Sequence, residues 1–178
     1  TASSPGTIIY EARHDRIDQA GGTLAKAFGS VVLKAETAYT HGRQFTVLRP
    51  TDSNGVVPQN TLDWAVGLDF NLPADTRLNV QVFQRAFFDY DEDLMTDRHE
   101  NGYSLLVNHK VNDKLEAQVT WISSLNRTDW LFRPRVTWQF ERNWRLAAGV
   151  DVFHGPEYGL FGRYEDNDRV YSEVRYNF

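Results

Sequence analysis

The chain has no cysteine among its 178 residues. A disulfide framework, thiolate metal sites and a cysteine nucleophile are therefore excluded. No apolar run is longer than three residues. That leaves no transmembrane helix, which needs about 20 such residues, and no signal-peptide core. Positive charge is not in surplus: 19 Lys and Arg stand against 24 Asp and Glu, a net charge of −5. This balance argues against a nucleic-acid partner. Helical spacing of apolar residues is almost absent, and no low-complexity segment or domain boundary breaks the chain. It reads as one domain over 1–178. The opening residues, TASSPG, resemble neither a native start nor a targeting segment, so a processed or truncated N-terminus is expected.

What the chain does have is aromatic residues, 13% of the total as five Trp, eight Tyr and eleven Phe. Mean hydropathy, −0.52, is that of a soluble protein. Apolar and polar residues alternate strongly. In 130–140 one parity holds Trp130, Phe132, Pro134, Val136, Trp138 and Phe140, and the other holds Leu131, Arg133, Arg135, Thr137 and Gln139. Side chains of a strand alternate faces, so one face is apolar and the other polar. The split recurs around 31–40, 61–72, 115–121, 144–153 and 170–178. It is noisier in 77–89 and 101–111, where Gln84 falls on the apolar parity. Short turns at 29–30, 73–76, 111–114 and 141–143 alternate with longer polar links at 43–60, 89–101, 125–129 and 154–168. The pattern predicts an up-and-down antiparallel meander. Its nine strands are 7–28, 31–43, 60–72, 76–89, 101–111, 114–125, 129–140, 143–154 and 168–178.

Alternation alone describes a soluble sandwich or barrel with its apolar face inside. Four features point instead to an all-β transmembrane barrel. The segments reach about ten to twelve residues, the length of a tilted membrane-spanning strand. Trp64, Phe70, Trp121, Trp130, Trp138, Phe140, Trp144 and Tyr176 sit toward segment ends of the apolar parity with aliphatic residues between, as interfacial aromatic girdles would. Short turns and long loops alternate, matching periplasmic turns and extracellular loops. The last strand ends on Val174, Tyr176 and Phe178 at period two, like the signal that outer-membrane barrels present to their assembly machinery. In lipid every backbone group must be paired internally, so a spanning sheet has to close.

The segment FRPRVTWQFERNWRLAAGVDVFHGPEYG, followed by LFGRYEDNDRVYSEVRYNF, resembles the C-terminal part of a long proteobacterial porin-like outer-membrane family, a domain of unknown function. The resemblance is best over 129–178 and thinner back to about 22, through GSVVLKAETAY. It implies an outer-membrane β-barrel that handles a hydrophobic substrate. Members of that family are much longer than this chain. Single-chain bacterial barrels have even strand numbers, so nine strands leave two expectations. Either 7–28 does not span, leaving eight strands, or upstream strands complete a larger barrel. The length of the family favours the second.

The polar parity carries Lys34, Glu36, Asp63, Asp69, Arg85, Lys110, Glu116, Arg133, Arg135, Arg145, Asp151, Glu173 and Arg175. These side chains either fill a narrow barrel as an ion-pair network or line a water-filled lumen. Carboxylates on early strands (Glu36, Asp63, Asp69) facing guanidinium groups on late ones (Arg133, Arg135, Arg145), with Glu173 and Arg175 beyond, would set up a transverse field that selects polar or charged solutes. Gly67 and Gly149 would leave space there. The acidic loop DYDEDLMTDRHEN begins with Asp89, Asp91 and Asp93 at calcium-loop spacing, but Leu94 stands where a calcium loop requires glycine. A solvated acidic loop is the stronger reading. His14, His41, His99, His109 and His154 have no zinc spacing, and no Gly-x-Ser-x-Gly elbow is present. No enzyme and no cofactor are therefore expected. The leading expectation is a channel or porin-like conduit in the bacterial outer membrane. Its partners would be lipid or lipopolysaccharide, the assembly machinery, and upstream strands or a partner protein. The alternatives are a non-conducting barrel that docks a partner and a soluble lipocalin-like binding protein.

Overall fold

A computed structural model describes residues 14–49 and 55–178. Its architecture is one antiparallel sheet of nine strands in strict sequence order. These are β1 (Asp18–Phe28), β2 (Val31–Thr46), β3 (Val56–Leu72), β4 (Thr76–Phe87), β5 (His99–Asn112), β6 (Leu115–Ser124), β7 (Trp130–Trp138), β8 (Trp144–His154) and β9 (Arg169–Tyr176). A 3-10 helix, Gly162–Asn167, interrupts the link before β9. No helix among the described residues is long and apolar enough to cross a membrane. Among the described residues the sheet is open: β1 pairs only with β2 and β9 only with β8.

Two boundaries differ from expectation. The first strand begins at Asp18, residues 14–17 are not strand, and 7–13 lie outside the described residues. Within the link expected over 43–60, residues 43–46 and 56–60 are strand, because β2 and β3 continue pairing past a bulge between Thr40 and Arg43. Gly42 sits there at φ 76°, a conformation that costs glycine little. Its N–H donates to Asn60 Oδ1 at 3.1 Å.

All tight turns lie at one end of the sheet and all long links at the other. The β3–β4 turn places Ala74 and Asp75 at φ 57° and 50°. Two successive left-handed residues match the twist of the flanking strands.

The expected parities hold in register. Glu36 pairs with Ala65, Asp63 with Arg85, Gln118 with Arg135, and Arg145 with Arg175. One face therefore carries the charges. The opposite face carries Leu68, Val82, Leu105, Val107, Val119, Val136 and Val174, all more than a third exposed. Burial is inverted relative to a soluble sheet. The buried apolar side chains are Val47, Ala65, Phe87, Leu94, Leu131 and Ala147, and the four of these in strands all lie on the polar face.

Pro134 lies inside β7. It pairs with Val119 on β6, but the β7–β8 pairing skips Arg133 and Pro134 before resuming at Arg135 and Gly149. Proline has no N–H to give a ladder. Across the gap Arg133 Nε donates to Asp151 Oδ1 at 2.5 Å.

Two aromatic rings on the polar face lie over cross-strand glycines, Phe83 over Gly102 and Tyr171 over Gly149. Gly67 opens onto a groove as expected, whereas Gly149 leaves no space. A Cβ at 149 would lie 2.5 Å from Tyr171 Oη and 2.9 Å from the Pro134 carbonyl oxygen. Gly149→Val is expected to cost about 1–3 kcal/mol by overpacking. The measurement is the temperature at which the folded band is lost on a heat-modifiability gel. An unchanged temperature would show that Tyr171 can swing away freely.

Candidate functional site

The charged face is built by cross-strand neighbours. On the early strands each aspartate has a cation. Asp69 accepts from Lys34 Nζ at 2.5 Å and from Asn79 Nδ2 at 2.5 Å. Asp63 is held in a two-pronged pair by Arg85, at 2.6 and 3.1 Å. Glu36 has no ion pair among the described residues. The late strands are richer in cations. Fully buried Asp151 accepts from Arg133 and from Arg169 Nε at 2.7 Å. Glu173 accepts from Arg135 at 3.2 Å and from Arg175 at 2.8 Å. Arg145 has no acidic partner among the described residues. The transverse field expected from two opposed walls is thus one-sided: the early carboxylates are largely neutralised locally, and the excess charge is the guanidinium wall of β7–β9.

At the long-link end two loops fold back over this face. The link 88–98 pairs through Leu94 with Val47, and both pack on Phe87 with Phe45, Val57 and Tyr90. Thr40, Gln59 and Thr61 are buried beneath them. This is why 77–89 looked irregular in sequence: Phe87 faces the polar side because a loop covers it. The second loop, 155–168, sets Tyr164 against Phe153, 5.7 Å between ring centres. It is gathered around Asp129, which is 1% exposed. Asp129 Oδ2 accepts from the Leu160 N–H at 2.7 Å, and Oδ1 from those of Phe161 and Gly162 at 2.9 Å each. Gly155, at φ 152°, comes so close that a Cβ there would lie 2.5 Å from Asp129 Oδ1.

Arg127 ties the loops together. It donates to Glu100 at 2.5 and 2.8 Å and to Asp97 at 3.0 Å, and lies 5.7 Å from the Tyr158 ring centre. The Glu100 hydrogen bonds and the Asp97 charge hold its proton more tightly than usual, against the effect of burial. Burial, helped by surrounding carboxylates such as Asp97 and Glu100, pushes the Tyr90 hydroxyl up from its ordinary value. It stays a neutral donor to the Thr96 carbonyl at 2.8 Å.

Asp89, Asp91 and Asp93 have protein partners in this fold. Arg49 bonds Asp91 at 2.7 Å and Asp93 at 3.3 Å, and Asp89 accepts from Asn60 at 2.8 Å. Leu94 turns into the apolar cluster. No group of acidic or histidine side chains among the described residues converges on a metal position. His154 meets Glu165 at 2.9 Å and His109 the Thr76 hydroxyl at 2.8 Å.

On the apolar face the aromatic residues form two rows. At the long-link end Trp121 stacks on Trp130 at 4.9 Å, with Phe132 and His154 alongside. Trp64 Nε1 donates to Gln84, whose amide donates to Asn101 at 2.6 Å. The polar residue on the apolar parity is thereby satisfied at the row's own level. At the turn end Trp138, Phe140, Trp144, Tyr176 and Phe178 form a continuous run of ring contacts. Phe70 pairs with Leu78 near the same end.

Neither a protein-family model nor a curated protein matches the sequence. Among solved structures, the chain is similar to the loop L8 deletion mutant of OmpT, an outer membrane protein of Vibrio cholerae. The TM-score is 0.60 at 12% identity, covering 90% of this chain and 53% of that one. The chain thus spans about half the length of the structure it matches. The fold is that of an outer-membrane β-barrel, in its antiparallel meander form.

Proposed function

We propose that the chain forms part of the wall of a bacterial outer-membrane barrel whose charged face lines an aqueous passage for polar or charged solutes. The observation that carries this is the inverted burial: aliphatic side chains stand exposed between two aromatic rows, while the grooves and the folded-back loops lie on the charged face. A soluble cavity protein would put its apolar parity on the grooved side. The two free edges support further strands as the partners of β1 and β9, because an unpaired edge in lipid leaves its backbone groups unsatisfied. The porin-like family is the resemblance most in keeping with this reading.

The test is planar-bilayer conductance of the intact protein. Arg133→Glu with Arg135→Glu is expected to shift reversal potentials toward cation preference. Selectivity unchanged in a conducting barrel would leave these residues a packing role only. The ion pairs Lys34–Asp69, Asp63–Arg85 and Arg133–Asp151 favour a second reading, a filled barrel that docks a partner and conducts nothing. Absence of any conductance would select it.

A further inference from the structure

We propose that Arg135, Arg145 and Arg175, at the turn end of the charged face, form a binding site for a carboxylate- or phosphate-bearing solute. The proposal deepens the passage reading by naming a solute class and its contacts.

Register creates the site. Arg145 and Arg175 are direct cross-strand partners, and like charges placed so are unfavourable without an intervening anion. The acidic groups at hand do not neutralise them. Glu173 is divided between Arg135 and Arg175. Glu116 is turned to the amide of Asn108 at 2.5 Å and lies across from Lys110, a further cation at this level. Arg145 receives neither.

A second observation is independent of charge. Four buried side-chain polar atoms among the described residues lack a hydrogen-bond partner, and only one of them, Arg135 Nε, belongs to a charged group. The Arg135 side chain as a whole is 34% exposed, so its guanidinium is only partly enclosed and its bonding capacity is not used up by Glu173. Space for a further acceptor exists: a groove of about 190 Å³ is lined by Gln118, Arg135, Thr137, Arg145 and Arg175 with the two glutamates.

The contrast with the level above is informative. There Asp151 is fully buried and bonded by both Arg133 and Arg169, so that group is complete and has no demand for a ligand. The lower group has the same kind of donors with too few acceptors. Guanidinium forks match the paired oxygens of carboxylate and phosphate, which sets the ligand class.

The experiment is titration of the intact protein in detergent with inorganic phosphate and with acetate, followed calorimetrically, so that binding is read without reference to conduction. Arg145→Gln is expected to weaken binding about ten-fold or more, the loss of one charge-assisted hydrogen bond. Arg135→Lys keeps the charge but removes Nε and the planar fork, and is expected to weaken it comparably. Arg43→Gln, which removes one charge from the other end of the same face, should leave it unchanged. If Arg135→Lys binds as the parent does, or if Arg43→Gln weakens binding as much as Arg145→Gln, a diffuse positive wall is acting and the site is overturned. Absence of binding in the parent overturns it as well. Binding retained in a barrel that conducts nothing would sustain the site and sink only the passage reading.

Discussion

Val136→Arg is expected to destabilise the folded protein in a bilayer by about 1–3 kcal/mol, the cost of a cation on the lipid face between the midplane and the interface. Val136 is 47% exposed and sits in β7 two residues before Trp138, on the inner side of the turn-end aromatic row. If water covered this face, an exposed valine could become arginine at a cost within about 0.5 kcal/mol. The substitution therefore separates a lipid-facing surface from a wet one without any functional assay. Urea titration of the intact protein folded into vesicles measures it. Val136→Leu keeps the surface apolar and is expected to be nearly silent. Ser104→Arg, on the charged face of β5, serves as the control for arginine itself. Equal stability of Val136→Arg and the parent would mean that the apolar face does not meet hydrocarbon.

The second large effect is expected at Asp129. Asp129→Ala removes the common acceptor of three backbone N–H groups at once. Hydrogen bonds to a charged group contribute about 1.5–3 kcal/mol each, though not additively. The alanine variant is therefore expected to release 155–168 locally while leaving the sheet intact, because loops open independently of the core. Hydrogen exchange reads this directly. The amides of Leu160, Phe161 and Gly162 should lose protection, whereas those of β5 and β6 should not. Asp129→Asn should rescue only part of the protection, since one end of its amide donates and would face N–H groups. Full protection in the alanine variant would show that the Phe153–Tyr164 contact and the glycine turns hold the loop unaided.

Much of this was legible in the chain because strand periodicity is a local signal. Trp130 to Trp138 declares its two faces by parity alone, and short turns alternate visibly with long links. What parity cannot reveal is registry. That Arg85 falls opposite Asp63, and Lys34 near Asp69, depends on where each strand is clamped against the next. The early carboxylates therefore looked free in sequence and are mostly paired in the fold. Arg169 was missed for the same reason: nothing in the chain shows that it falls opposite Asp151 and completes that group.

The loops were the least legible part. Asp129 appeared as one more polar residue in a link. The only trace of its role was the run of glycines at 155, 159 and 162, spaced to let a backbone close around a carboxylate. The Asp89–Asp93 pattern read as a solvated loop because the cation it meets, Arg49, lies 42 residues away from Asp91 in the chain.

Strict sequence order in the sheet has one more consequence. Among the described residues every strand pairs only with the strands just before and just after it, with no crossover in the order. A hairpin can therefore be duplicated or deleted over evolutionary time while the pairings away from the cut persist. Each such event would change the circumference by two strand spacings, roughly 10 Å, and would return the chain to the side of the membrane from which it left. A wall of this kind can change bore in fixed increments, losing only the charge pairs that bridge the cut, as Lys34–Asp69 bridges β2 and β3.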